Sequence, residues 1–302
     1  MRNAIRAAAV AALLLPAAGA SAQTTFPGFS IERFTPDASA VSSFVIGTAE
    51  ILPAGEVRVS ASEEWELRPL IINGDGSVVG RGYPLAGERA GDVITDRATT
   101  FVSVAGAVND WLELSARLPI IAWQQGQTGS SVLGPLSQEG IGPIDLGARV
   151  VAMKQDADSP LSIAFGLEVL PNWGSAQALG GDTAWDFAPR IEMSHRFDGF
   201  IVGAQANILV RPQPVYLPNS QTLGSEFQMG AVAATTGPGL RGELSIRGTP
   251  GQPPDQTMEI LAGLRMPIGP FEAFVIGGPG FFAMPGTPTW RVVGGFAFNT
   301  RS

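Results

Sequence analysis

The run WLELSARLPII, residues 111–121, constrains this chain more than any other stretch, because its two sides are unlike in the way only a strand arranges them. Leu112, Leu114, Ala116, Leu118 and Ile120 fall on one side, and Trp111, Glu113, Ser115, Arg117 and Pro119 on the other, with the period of two that a pleated backbone imposes. In a soluble sandwich the apolar side would meet a second sheet. In a membrane barrel it would meet lipid, and the charged side would be enclosed. Recurrence of the pattern and the placing of long loops decide between the two.

The pattern recurs. Twelve candidate strands run at about 56–68, 97–108, 111–121, 143–153, 160–170, 184–195, 199–210, 223–233, 239–247, 256–266, 270–279 and 289–298. In the first, Val57, Val59, Ala61, Trp65 and Leu67 oppose Glu56, Arg58, Ser60, Ser62, Glu64, Glu66 and Arg68, with Glu63 alone on the wrong face. The second, eighth and eleventh are weaker, with small or apolar residues on both faces. Most are long enough to cross a bilayer at a tilt and exceed the ~5–6 residues usual in soluble strands.

The connections alternate in length. Segments 69–96, 122–142, 171–183, 211–222, 248–255 and 280–288 are long; Asn109-Asp110, 154–159, 196–198, 234–238 and 267–269 are short. Long loops on one rim and tight turns on the other are the pattern of an outer-membrane barrel, with the short side in the periplasm. An even strand number then places both chain ends in the periplasm. Trp65, Trp123, Trp173, Trp185 and Trp290 fall near the expected outer rim, and Trp111, Phe200, Phe271 and Phe298 near the inner one, where amphipathic rings favour the interface.

Composition agrees. A mean hydropathy of +0.18 with 15% charged residues, yet no apolar run of ~18 after the N-terminus, suits strands that show lipid only alternate side chains. Residues 1–22 read as a secretory signal for Sec-type export: Arg2 and Arg6 precede AAAVAALLL, and Ala20-Ser21-Ala22 offers a cleavage site near Ala22. Residues 23–55, interrupted by Pro27, Pro36 and Pro53, are expected to be a periplasmic leader or a segment folded into the lumen; 56–298 form the barrel and 299–302 a tail. The absence of cysteine excludes disulfides and thiolate metal sites. A net charge of −8 argues against a nucleic-acid partner.

ERFTPD (32–37), the strand pair around DWLELSARLPI, GPIDLGARV (142–150) and the closing GGPGFFAMPGTPTWRVVGGFAF (277–298) resemble the N-terminal barrel of OmpA-family outer-membrane proteins. The resemblance implies an envelope barrel whose relatives usually carry a C-terminal peptidoglycan-binding domain. The sequence stops at Ser302, four residues after Phe298, so peptidoglycan binding is not expected of it.

Candidates for chemistry are few. His195, the only histidine, falls beside the short turn at 196–199, away from the rim where barrel hydrolases carry theirs, and reads as a turn residue despite nearby Asp198. NGDGS (73–77) lacks the spaced ligands of a calcium loop, and GGPG (277–280) reads as turn chemistry. No catalytic residue, cofactor or metal is expected. The inward face should carry any selectivity: Arg58, Glu64, Glu66, Arg68, Glu113, Arg117, Asp145, Arg149, Glu168, Asp186, Arg190, Glu192, Arg241, Glu243, Arg247, Glu259, Arg265, Glu272 and Arg291 should line the lumen, either as a narrow pore or as a salt-bridged plug. The expected protein is an all-β, single antiparallel transmembrane barrel in the outer membrane. Its partners would be lipid, lipopolysaccharide and the barrel assembly machinery. It would act as a porin-like passive channel for small polar solutes or as an OmpA-like structural protein; the alternatives are a transporter of hydrophobic compounds and, last, a barrel hydrolase.

Overall fold

The alternation of side chains becomes architecture directly. In the computed structural model, which describes residues 28–73, 77–82, 89–126, 136–217, 222–251 and 255–300, twelve long strands form one closed antiparallel barrel. They are β1 (Val57–Asn73), β2 (Arg89–Ala107), β3 (Leu112–Gln125), β4 (Asp145–Met153), β5 (Ser162–Leu170), β6 (Asp186–Arg196), β7 (Phe200–Leu209), β8 (Glu226–Thr235), β9 (Arg241–Thr249), β10 (Thr257–Ile268), β11 (Phe271–Phe281) and β12 (Trp290–Asn299). Each pairs with its chain neighbours. β12 returns to β1, from Arg58 opposite Asn299 to Leu67 opposite Trp290, so no edge is left open. The signal segment 1–22 and its cleavage site, most of the NGDGS loop and the last two residues lie outside the described residues.

The polarity of the faces is inverted relative to a soluble sandwich. Along β1, Arg58, Ser60, Ser62, Glu64 and Glu66 are buried, whereas Val59 and Trp65 are exposed. Leu114, Phe165, Leu244, Leu264 and Phe296 likewise stand on the outer surface. Among the described residues no helix is long and apolar enough to cross a membrane, so any crossing is made by these strands. Aromatic rings gather at both ends of the apolar band. Trp65 and Trp123 flank Ala98, Trp290 opens β12, and Trp173 and Trp185 bracket a long loop. At the opposite rim Trp111 is exposed, Phe271 packs on Phe298 at 5.4 Å, and Phe197 stacks on Phe200 at 4.5 Å.

Three features depart from the sequence expectations. First, the hairpin β1–β2 reaches well above the rim, and its connection is 74–88 in place of 69–96. A bulge interrupts the period of two: the register shifts between Leu67 and Leu70, and Arg68 has a φ of 51°. Arg68 is therefore half-exposed near Asp92 and does not continue the luminal row. Second, GGPG at 277–280 is strand and not turn. A Cβ on Gly278 would stand 1.9 Å from the Ile260 carbonyl oxygen, so the glycine permits the close approach of β11 to β10. Third, residue 28 lies among the long loops, where the even-strand argument expected the N-terminal side at the short-turn rim. The cause is the segment 28–55, which runs the length of the lumen. Its base is fixed at the short-turn rim, where the Gly55 amide donates to the Ala107 carbonyl at 2.9 Å. Its far end meets the loop 171–185, where the Ile31 amide donates to the Leu179 carbonyl at 3.3 Å and the Ser30 amide to Asp182 at 3.1 Å.

This segment explains the weaker strands. Phe34, Phe44 and Ile46 pack on inward Phe101 of β2, Val232 and Ala234 of β8, and Phe274 and Ile276 of β11. Those strands carry apolar residues on both faces because one face meets lipid and the other meets the segment. Nearer the long loops, Phe29 and Ile31 join Leu70, Val78, Val93, Ile94, Leu179, Val215, Leu217 and Leu223 in an apolar cap over the mouth.

Candidate functional site

An irregular backbone enclosed in a barrel must find partners for its own N–H and C=O groups, since no sheet supplies them. The inward charges do so. Glu243 of β9 accepts from the Phe44 and Val45 amides at 2.9 and 3.3 Å and from the Ser43 hydroxyl at 2.9 Å. Glu192 accepts from the Ala49 amide at 3.1 Å and Glu113 from the Leu52 amide at 3.0 Å. Arginines take the carbonyls: Arg117 donates to Pro36, Arg265 to Ala40, and Arg149 to Glu50 at 3.3 Å.

The same side chains pair with one another in three groups. On β3–β6, Arg149 meets Asp37 of the segment at 2.6 Å and Glu113 and Glu192 at 3.1 Å; Arg190 meets Glu168 at 2.6 Å and Glu192 at 3.0 Å; Arg117 pairs with Asp145. Near the short-turn rim, Glu272 receives Arg58 at 2.7 Å, Arg265 at 2.8 Å and Arg241. Higher on β12, β1 and β10, Arg291 is fully buried among Glu64, Glu66 at 3.0 Å, Glu259 at 2.8 Å and Glu32 at 3.6 Å. Arg247 lies 3.5 Å from Glu259, and Arg247 and Arg291 each hold a guanidinium 5.2 Å from the Phe34 ring. The oxygens of Glu32, Glu64 and Glu66 converge within 4.8 Å, and their charge is met by Arg291. Asp186 is buried beside Asp182.

Several members escaped the sequence reading. Glu32, Arg33 and Asp37 sit in a stretch without alternation; Arg33 pairs with Glu226 at 2.5 Å, and Arg211 joins both Glu226 and Asp182. Arg97 of β2 faces Glu66 at 3.9 Å, and the alternation Arg97, Thr99, Phe101, Ser103 marked it as inward. Conversely, Glu63 does face outward, where it accepts a hydrogen bond from Thr100. His195 is half-buried at the short-turn end of β6, near the Pro160 carbonyl and 4.2 Å from the Phe197 ring.

What space remains is uneven. A cavity of ≈ 100 Å³ follows the wall from β5 to β10, between the segment and a row of neutral amides. Gln205 donates to Asn207 at 3.4 Å, Asn207 to Gln228 at 2.8 Å, and Gln228 to Glu226 at 3.4 Å. That volume holds several waters and no continuous wide pore. A larger cleft of ≈ 510 Å³ opens on the outer wall across β6–β10. Its outward lining includes Ile191, Met193, Ala206, Met229, Ala231, Ile246 and Met258; Gln205, Gly230, Arg247, Thr249 and Thr257 line both the cleft and the inner cavity. The ladder between β8 and β9 ends at Met229 opposite Gly248, so Glu226–Gln228 have no partner on β9 and the strands part there. The wall is thin as well, because Gly248 faces outward and Gly230 inward in adjacent rows.

No protein-family model matches the chain, and no curated protein matches it in sequence. Solved structures do resemble it. An outer membrane channel from Pseudomonas putida F1 superposes with a TM-score of 0.65 at 12% identity, covering 84% of this chain and 98% of the other. The KdgM porin gives 0.48 at 10% identity over 80% and 98%, and the toluene transporter TbuX of Ralstonia pickettii 0.43 at 11% over 91% and 99%. At these identities the first likeness establishes the fold of an outer-membrane barrel channel, and membership of the OmpA family is not shown.

Proposed function

We propose that the protein is an outer-membrane channel, exported through a signal cleaved near Ala22, that admits small apolar or amphipathic molecules from the lipid through its wall. The observation that carries this is the apolar cleft where β8 and β9 separate, backed by an inner cavity that shares its deepest residues. The axial path is filled by residues 28–55 and capped by an apolar cluster, which disfavours a straight aqueous pore for polar solutes. The experiment is uptake of a monoaromatic hydrocarbon by cells with an intact outer membrane. Expression should raise the initial rate, and Ala206→Trp, which fills the cleft mouth beside Met229, should abolish the gain. An unchanged rate in the folded variant would discard the lateral route. The packed lumen equally favours a second reading, a barrel of OmpA-like structural role, and that reading stands if expression of the wild-type protein transports nothing.

A further inference from the structure

Behind the cleft, the inner surface differs from the rest of the lumen. Elsewhere the wall meets the segment through charged side chains; here, beside ion-paired Arg190 and Arg247, the groups facing the cavity include three uncharged amides in a row, Gln205, Asn207 and Gln228. Each amide offers two donors and a carbonyl acceptor, and the bonds within the row use only part of that capacity. On the inner side of the wall that cleft and cavity share stands Ile46. It is buried against Gly230, where a Cβ would stand 2.4 Å from its Cδ1.

Ile46 sits on a short turn clamped at both ends. On one side Glu243 takes the Ser43 hydroxyl and the Phe44 and Val45 amides. On the other the Gly47 amide donates to Gln205 at 2.8 Å, followed by the Thr48 carbonyl accepting from Ser194 and the Ala49 amide donating to Glu192 at 3.1 Å. Of these links the one to Gln205 is made to a neutral amide carbonyl and is weaker than those to the carboxylates.

We propose that the amide row Gln205–Asn207–Gln228, reached past Ile46, is the selectivity site of the channel, and that it favours small apolar molecules carrying one uncharged hydrogen-bonding group. The proposal rests on the lateral route. The apolar lining of the cleft accommodates the body, and the amides replace the water that a hydroxyl or carbonyl gives up on leaving the interface. A carboxylate head would meet cations already committed to carboxylates, Arg247 lying 3.5 Å from Glu259 and Arg190 2.6 Å from Glu168, so it would shed its hydration without a free counter-charge to receive it. A molecule with no polar group would leave the row as it is and gain nothing from it.

The test uses a matched series: naphthalene, 1-naphthol and 1-naphthoate. Equilibrium binding to the purified full-length protein and initial uptake by cells are both measured. Wild-type protein should prefer 1-naphthol over naphthalene by about tenfold, the worth of roughly one buried hydrogen bond, and bind 1-naphthoate weakest. Asn207→Leu, and separately Gln228→Leu, should bring the two neutral probes to within about twofold by weakening 1-naphthol binding, as expected for the loss of one such bond. Heat-modifiable mobility in gels confirms folding of each variant. Equal binding of naphthol and naphthalene by the wild type, or a preference that survives both substitutions, overturns the proposal. If Ala206→Trp blocks uptake while the amide variants keep the preference, the selectivity site alone is wrong. If Ala206→Trp leaves uptake untouched, the lateral route has failed first, and the proposal falls with it.

Discussion

Arg149 is the place where the account of the lumen is most exposed to test. Its side chain is 2% accessible and faces Asp37, Glu113 and Glu192 at 2.6–3.1 Å while donating to the Ser39 hydroxyl at 2.8 Å. Replacement by methionine keeps much of the volume but leaves three carboxylates buried against one another, and removes the contacts that tie residues 37–50 to β4. Breaking a buried pair by deleting one partner costs about 3–5 kcal/mol. With a denaturant slope of about 3 kcal/mol per molar, the urea midpoint in lipid vesicles should fall by roughly 1–2 M. Tryptophan fluorescence follows the transition. Adding Glu113→Gln and Glu192→Gln to Arg149→Met should recover part of the loss, since neutral amides still accept from the Leu52 and Ala49 amides. An unfolding midpoint for Arg149→Met that matches wild type would show that the segment is not held by these charges, and the reasoning would fail.

Three further expectations can be checked in the same vesicles. Glu63 places a carboxylate on the lipid-facing wall, so Glu63→Leu should stabilise the barrel by about 1–2 kcal/mol, read as a raised urea midpoint. Gly278→Val should prevent barrel assembly, because its Cβ meets the Ile260 carbonyl oxygen at 1.9 Å; a heat-modifiable band at wild-type yield would contradict it. His195→Asn should leave uptake unchanged and stability within about 0.5 kcal/mol, and a loss of uptake would reopen a role for the imidazole.

Much of the barrel was legible because lipid enforces the period of two. From Leu112 to Ile120 every second residue meets hydrocarbon, and the alternate Glu113 and Arg117 are enclosed, so sequence order is face order. The pattern failed where that rule lapses. Beyond Leu67 the bulge at Arg68 breaks the register, and the upper hairpin meets loops in place of lipid, so Leu70, Ile71, Val93 and Ile94 carry no alternation to read. Phe101, Val232 and Phe274 blurred their strands because the surface they pack on, Phe34 and Phe44, lies far away in the chain. The choice between paired and pore-lining charges was illegible for the same reason. Which carboxylate meets Arg149 or Arg291 depends on closure of the barrel and on where the segment lies, and neither is a local property. The cleft left only a faint trace, the glycines at 230 and 248, whose juxtaposition depends on the register of β8 against β9.

Single-channel recording of the wild-type protein in a planar bilayer bears most directly on the claim that residues 28–55 fill the axis and leave the wall as the solute path. Correctly folded protein should pass only small currents, far below those of an open porin. A large, steady ohmic conductance from the same preparation would contradict it.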